Sequence, residues 1–455
     1  MGLGFWERGK KRMAGLFGVV LNGRNLKDLH DGTFYLQHRA QDYCGLLWYL
    51  DGSLRGNTHK GLLDDNYKPK ELEKVKGDYG IGSVSVTREP VSGVSRYQRG
   101  VFTFDGNIVN NSEMRDKLLK SGEKFSGYHH PDQVTDCDLI ANVVTGEPSF
   151  EKGIERLFNE VQGDFSIVFL TDSGIYASRG WGRKPLILGK KEIEKGDNYA
   201  VSSESTSFIN PGFEIVRDVK PGETVFLDKS GIHHVAQVDL GNEVRYGTFE
   251  WIYSAYPTSL IDGRWVSEVR KKMGGLLMKA YPVDADIVSG IPNSGRWHGT
   301  GFNHESYAIG MGIPYEEVFA RYDYAGRSFT PGDEEVQQWT ADMKLIPVIP
   351  SIKDKRIVLV DDSIVRGKQT KNQTTRLRKF GALEIHARIA CPPLMAACRY
   401  GKSTKKDEDC IARIMSIDEI RETRRLDSLE YATAEMLEEA IGYPKDKLCL
   451  HCWEH

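Results

Sequence analysis

Ile357-Val358-Leu359-Val360-Asp361-Asp362-Ser363-Ile364-Val365-Arg366-Gly367-Lys368-Gln369-Thr370 is the stretch on which the fold turns. Four aliphatic residues in succession predict a buried strand of the parallel kind, covered on both faces. Two adjacent acids end it, a polar glycine-bearing turn follows, and Lys371 to Phe380 predicts a helix with Arg376, Arg378 and Lys379 toward its C-terminus. Strand, polar loop and helix N-terminus make an anion site, because unpaired backbone N–H groups and the helix dipole favour phosphate there. Carboxylates just before such a cradle suit a sugar phosphate, since they accept hydrogen bonds from vicinal hydroxyls. A strand capped by a plain Asp-Ser turn would account for one acid and the serine, but not for Asp-Asp with Arg-Gly.

Around that stretch lie 455 residues, long for one core, so two domains are expected. A formal net charge of −3 gives no reason to expect nucleic acid or an acidic membrane as partner. No apolar run reaches bilayer-spanning length, and the basic opening from Met1 to Arg12 lacks the hydrophobic segment of a secretory signal. The 7 cysteines are odd in number and crowd after residue 390, which suits a reducing compartment and a metal site better than a disulfide framework. The expected location is cytoplasmic.

In the first half, Ala14 to Val20, Tyr79 to Val86, Gly100 to Phe104 and Phe165 to Leu170 predict strands, with helices at Asn25 to Gln37 and Cys137 to Val144. Strands flanked by helices fit sheets sandwiched between helical layers. In the second half, Ser267 to Ala280 predicts an amphipathic helix ended by Pro282. Asp286 to Gly290 predicts a strand running into the turn Pro292-Asn293-Ser294-Gly295, ahead of a helix near Gly299 to Gly310.

The run Val-Asp-Asp-Ser-Ile-Val-Arg-Gly resembles the phosphoribosylpyrophosphate (PRPP) signature of type I phosphoribosyltransferases, in the version of the glutamine PRPP amidotransferase family, which serves purine synthesis. The resemblance implies that Asp361 and Asp362 hold ribose hydroxyls and Mg²⁺. It also implies that the loop Ser363, Ile364, Val365, Arg366, Gly367, Lys368, Gln369 and Thr370 holds the 5′-phosphate. Lys368-Gln369 departs from the small hydroxyl residues usual there. Asn293, Ser294 and Gly295 match the family's pyrophosphate loop, with Asn293 where an acid is usual. Tyr324-Ala325-Gly326-Arg327-Ser328-Phe329 resembles the flexible loop that closes over PRPP and excludes water, making Arg321 and Arg327 the expected catalytic residues. The family's first arginine of that loop falls on Asp323.

Resemblance to the same family extends to the first half, through Ala14 to Val20, His38-Arg39-Ala40-Gln41-Asp42, Asp105-Gly106-Asn107, Asp136 and Ser203-Glu204-Ser205. It implies an N-terminal nucleophile hydrolase domain, an αββα sandwich, followed by an α/β transferase domain with a parallel sheet. The implied divisions are a basic leader at 1–13, a glutaminase-like domain at 14–245 and a phosphoribosyltransferase domain at 246–455. Here the departures weigh most. Ala14 stands where the family has its cysteine nucleophile, and a methyl group forms no thioester. Ser85 stands where an arginine grips the glutamine carboxylate, with Arg88 as a nearby substitute. Asp105-Gly106 replaces the Asn-Gly of the oxyanion hole, where a carboxylate repels a developing oxyanion. Asp136, matching the acid that holds the glutamine amino group, is kept. The expectation is a decayed glutaminase site; Cys44 and Cys137 read as inert core residues rather than replacement nucleophiles.

Cys398, Cys449 and Cys452 match three ligands of the [4Fe–4S] cluster carried by some family members; the fourth, at the domain junction, falls on Gly247. Cys391, Cys410 or His451 are the candidate replacements, and Zn²⁺ is the alternative occupant. The expected function is displacement of pyrophosphate from C1 of PRPP by ammonia or another amine, with glutamine hydrolysis lost and a separate glutaminase as one source of ammonia. Two rivals stand beside it: a non-catalytic nucleotide-binding regulator, since nucleotides occupy the same phosphate site in the family, and an ordinary glutamine-dependent amidotransferase. Homotetramers are usual in the family.

Overall fold

The strand Gly15–Val20 lies at the middle of a seven-stranded sheet, paired antiparallel with Asn198–Ser202 on one side and Tyr79–Ser85 on the other. A second, six-stranded antiparallel sheet centres on Gly163–Leu170 and Arg99–Ile108. Side chains alternate across the first sheet as a pleat requires. Leu16 and Val20 join Val101, Val168, Ala177 and Val225 in the core between the sheets. Phe17 and Val19 face outward to Leu26 and Leu29, beside the helix Lys27–Phe34. The helices Asp136–Thr145 and Phe150–Glu160 cover the other sheet through Leu139, Ile140, Ile154 and Leu157. The result is helix, sheet, sheet, helix. The computed structural model describes residues 13–123, 125, 134–322, 343–401, 404 and 406–454.

A third core holds Trp251, Phe302, Phe319 and the run Ile357-Val358-Leu359-Val360. Its sheet is wholly parallel, ordered Ile287–Gly290, Arg356–Asp361, Glu384–Ile389, Ser428–Tyr431. Ile357 to Val360 are all buried, as expected for a strand covered on both faces, and each such side chain contributes roughly 1.5–3 kcal/mol. The helices Val266–Ala280 and Arg296–Ala308 pack beside it. One π-helical turn, Glu250–Ser254, leads from the sandwich into this core. No helix among the described residues is long and apolar enough to cross a membrane.

Several boundaries differ from expectation. The helix after the Asp-Asp pair spans Lys368–Lys379, so Lys368, Gln369 and Thr370 form its first turn instead of a loop. Gly367, left-handed at φ 65°, makes that early start, a conformation glycine adopts without penalty. The strand Arg99–Ile108 runs longer than its apolar core, so Asp105 and Gly106 sit inside it, paired with Ser166 and Phe165. The first helix is confined to Lys27–Phe34. Arg321 ends the short strand Phe319–Arg321, which pairs with Leu345–Pro347. Arg327 and the segment 323–342 lie outside the described residues, as does the leader 1–12.

Candidate active site

Two concave regions collect the residues that the sequence singles out. The first forms at the carboxyl ends of the neighbouring strands Ile287–Gly290 and Arg356–Asp361, where open parallel sheets hold ligands. Ser294 Oγ donates to Asp361 Oδ1 at 3.2 Å. Gly295 is pressed against the other strand: a Cβ there would lie 2.1 Å from the Val360 carbonyl oxygen, so no larger residue fits. The bond between Pro292 and Asn293 is cis. Asp361 Oδ1 also accepts from the Asp362 amide at 2.9 Å, and Ser363 Oγ donates to Asp362 Oδ2 at 2.6 Å. Burial first, then the charge of Asp362, pushes the Asp361 carboxyl well above the usual carboxylate range. Two carboxyls thus share a desolvated corner with hydroxyl and amide partners.

The amides of Lys368, Gln369 and Thr370 precede the first intrahelical bond, from Lys371 N to Gly367 O at 3.1 Å. Ile364 is buried and anchors the loop, and the Val365 carbonyl accepts from Ile411 N at 2.9 Å. Arg366 is the exception. Its guanidinium turns outward to Asp409, at 2.8 and 3.0 Å, rather than into the cradle.

Beneath the acids lies a layer that the sequence did not reveal. Arg270, buried, donates to the carbonyls of Trp251 and Ala255 at 2.7 and 2.8 Å, clamping both ends of the π turn. Burial lowers it to about 10. His298 Nε2 meets the Ile252 carbonyl at 3.1 Å, and burial followed by Arg270 pushes the imidazole down to about 4, leaving it neutral. Tyr253, on the same turn, is driven above its ordinary range by burial and then by Asp362 and Asp361.

The second region is a cavity of ≈ 230 Å³ lined by Ala14, Ser85, Glu89, Asp105, Arg115 and Asp136, among others. Ala14 brings only a methyl group, and its backbone is tied on both sides. Ala14 N, a peptide nitrogen bonded to Met13, donates to Asp105 Oδ1 at 3.0 Å, and Arg39 Nε donates to the Ala14 carbonyl at 2.8 Å. Arg39 also reaches Asp105 Oδ2 at 2.8 Å, Glu204 Oε1 at 2.6 Å and Glu250 Oε2 at 3.1 Å. Lys184 Nζ lies 3.6 Å from both Asp105 and Glu250. All five charged groups are buried. Burial works against the charge of Glu204, but His38 and Arg39 hold its carboxyl down at about 2. Asp105 is therefore not a bare repelling carboxylate; it is neutralised from behind by Arg39 and spends one oxygen on the Ala14 amide.

Around the cavity, Ser85 Oγ donates back to the Thr87 carbonyl, and Arg88 is exposed instead of replacing the lost arginine. Arg115 lines the wall instead, a residue that no motif marked. Asp136 accepts from Ile108 N at 3.2 Å and Asn111 Nδ2 at 2.5 Å. Glu89, buried, is raised to about 8 by burial, although Thr87 and the Phe104 amide donate to it. Cys137 reaches the Phe102 carbonyl at 3.6 Å and is pushed up by burial, so its thiol stays protonated. Cys44 packs with Leu46 and Phe17 in the outer core. Neither is an activated nucleophile.

The C-terminal cysteines divide. Cys398, Cys452 and Cys410 lie together with Leu394 and Trp453, whereas Cys391 packs into the parallel-sheet core and does not join them. Among the described residues no group of three or more Cys, His, Asp or Glu stands in position to hold a metal ion. Gly247, where a fourth ligand would fall, has no room for a side chain, because a Cβ would sit 2.2 Å from the Arg183 carbonyl oxygen. Basic residues already press on the sulfurs: Arg183 bonds Cys449, and Lys184 faces Cys398. The His451 ring packs edge-on against Tyr400. The residues present do not fit a cluster or a zinc ion.

An antiparallel double-sheet sandwich joined to a parallel sheet with an Asp-Asp strand end is the architecture of a glutamine amidotransferase domain coupled to a phosphoribosyltransferase domain. Residues 81–210 match the family model described as a glutamine amidotransferase domain. The chain is 33% identical to the amidophosphoribosyltransferase of Methanothermobacter thermautotrophicus over 93% of its own length and 89% of that protein. It is 30% identical to that of Bacillus subtilis over 98% and 94%. The solved glutamine PRPP amidotransferase of B. subtilis, complexed with ADP and GMP, superposes with a TM-score of 0.85 at 28% identity, covering 96% of each chain. The chain belongs to the amidophosphoribosyltransferase family.

Proposed function

We propose that this chain is a PRPP-dependent phosphoribosyltransferase whose amine does not come from glutamine hydrolysed in its own N-terminal half. One observation carries the reading. At Ala14 a methyl group faces the cavity, with the flanking amide and carbonyl bound by Asp105 and Arg39, while the Asp361-Asp362 strand end still runs through a glycine turn into a helix N-terminus, which supports a phosphate site.

The two functions divide near residue 245. Asp361 and Asp362 accept from the ribose hydroxyls; the amides from Ser363 to Thr370 hold the 5′-phosphate; Asn293, Ser294 and Gly295 wrap the pyrophosphate; Arg321 and Arg327 close over it. The oxygen donors of Asp361 and Asp362, adjacent at the end of the strand, fit Mg²⁺. Held by Asp361 and Asp362, the ion would neutralise charge on the departing pyrophosphate. The amine nitrogen bonds C1 as the bond from C1 to the pyrophosphate oxygen breaks; with ammonia the product is phosphoribosylamine. Seven free cysteines accord with a cytoplasmic, reducing setting.

The test is pyrophosphate release from PRPP and Mg²⁺ with ammonium, with glutamine and with no acceptor. Release with ammonium alone is expected. Release with glutamine would overturn the reading of Ala14. PRPP binding with no release under any condition would favour the non-catalytic regulator.

A further inference from the structure

The cysteine corner has chemistry that neither site uses. The main chain at Met395 and Ala396 donates to the Cys452 carbonyl at 2.8 and 3.2 Å, holding the two cysteine-bearing segments against each other. Within that clasp the Cys398 side chain packs against the small cluster that holds Cys452. A Cβ built on Gly401 would lie 3.5 Å from Lys184 Nζ and 3.6 Å from Cys398 Sγ, so ammonium and sulfur flank one small gap. Cys398 is part-exposed, whereas Cys410 is fully buried and Cys452 nearly so. A buried ammonium beside one of two neighbouring thiols is the setting in which a cysteine acts as a nucleophile. The same cations, with the closed position at Gly247, disfavour a metal.

We propose that Cys398 and Cys452 form a redox-active thiol pair, oxidised by hydrogen peroxide to a reversible disulfide, at the place where cluster-bearing members of the family hold iron. Cys398 thiolate attacks one peroxide oxygen; the O–O bond breaks, a sulfenic acid forms and hydroxide leaves, taking a proton to become water. Cys452 sulfur then attacks Cys398 sulfur; the S–S bond forms, the S–O bond breaks, and the departing hydroxide takes the Cys452 proton. Two thiols lose two electrons and two protons, and one peroxide becomes two waters. The disulfide ties the C-terminal turn to the segment that packs under Val365, in the wall of the phosphate loop.

The full-length chain is purified anaerobically, assayed for iron, acid-labile sulfide and zinc, then treated with hydrogen peroxide, alkylated and mapped by peptide mass spectrometry. Substoichiometric metal and a Cys398–Cys452 cross-link removed by dithiothreitol are expected. In Cys452→Ser the cross-link disappears and Cys398 is trapped as a sulfenic acid by dimedone. Stoichiometric iron or zinc would overturn the proposal, as would a different cysteine pair or a Cys398 left unmodified by peroxide.

Discussion

Buried carboxylates line both the pocket at Ala14 and the cradle at Asp361, in opposite electrostatic states. Asp105, Glu204 and Glu250 are matched by Arg39, Lys184 and His38, and the Ala14 backbone closes the remaining positions. Asp361 and Asp362 are matched by hydroxyls and an amide, and burial leaves the pair raised and crowded. A network whose acids are paired with buried cations is part of the protein's frame. On the function proposed above, a pair left crowded without a cation is completed by a ligand that brings cations or hydroxyls.

Four substitutions test that contrast, and a fifth tests the reading of Ala14. The largest effect is expected from Arg39→Ala, which leaves three buried acids short of their main partner and should lower unfolding free energy by about 3–5 kcal/mol in chemical denaturation; a loss under 1 kcal/mol would mean that the network is not the frame. Next, Asp361→Asn should reduce kcat/KM for PRPP on the order of 10²–10³-fold, with an unchanged denaturation midpoint. If stability fell along with activity, the cradle would be structural as well.

Glu89→Gln addresses the pocket through pH. The folded carboxyl, at about 8, lies above its unfolded value, so between about pH 4.5 and 8 the folded state binds a proton that the unfolded chain has released. Stability therefore falls as pH rises through that window, by up to about 1.4 kcal/mol per unit, and Gln should flatten the slope. An unchanged slope would place the titrating group elsewhere. The smallest effect belongs to Arg366→Ala: its partly exposed pair with Asp409 contributes about 0.2–1 kcal/mol, and PRPP affinity should change less than twofold. A large loss of affinity would return Arg366 to the cradle. Ala14→Cys alone should not restore glutamine use, because Ser85 and Asp105 remain.

The cradle was legible because strand, acids, loop and helix start are consecutive in sequence, and their chemistry follows from residue order alone. The sandwich and the parallel sheet followed from the strand pattern and the resemblance together. The Ala14 network was not legible, since residues 39, 105, 184, 204 and 250 meet only after the sheets stack. Arg39 stood inside a quoted motif with no role attached, and Arg115 lay in no motif at all. Arg366 was assigned by its place in a motif, but its direction depends on Asp409, brought near by a distant turn. The candidates Cys391, Cys410 and His451 stayed open for a similar reason: Cys410 joins Cys398 and Cys452 from a turn, whereas Cys391 is buried in the parallel-sheet core. The helix start was missed by three residues because a left-handed Gly367 admits three polar residues to a first turn that their side chains do not announce.

The central position of Gly15–Val20 carries a consequence for how the chain is made. Phe17 pairs with Gly82 on one side and Ser202 on the other, so one edge of this strand finds Tyr79–Ser85 early while the other edge waits until residue 202 has been synthesised. The later core closes even further on, with Tyr246 bridged to Leu448. Pairings so distant in sequence fold slowly and leave apolar strands such as Gly-Leu-Phe-Gly-Val-Val exposed in the meantime. Until those pairings close, the yield of folded protein depends on synthesis rate and chaperone access as well as on final stability.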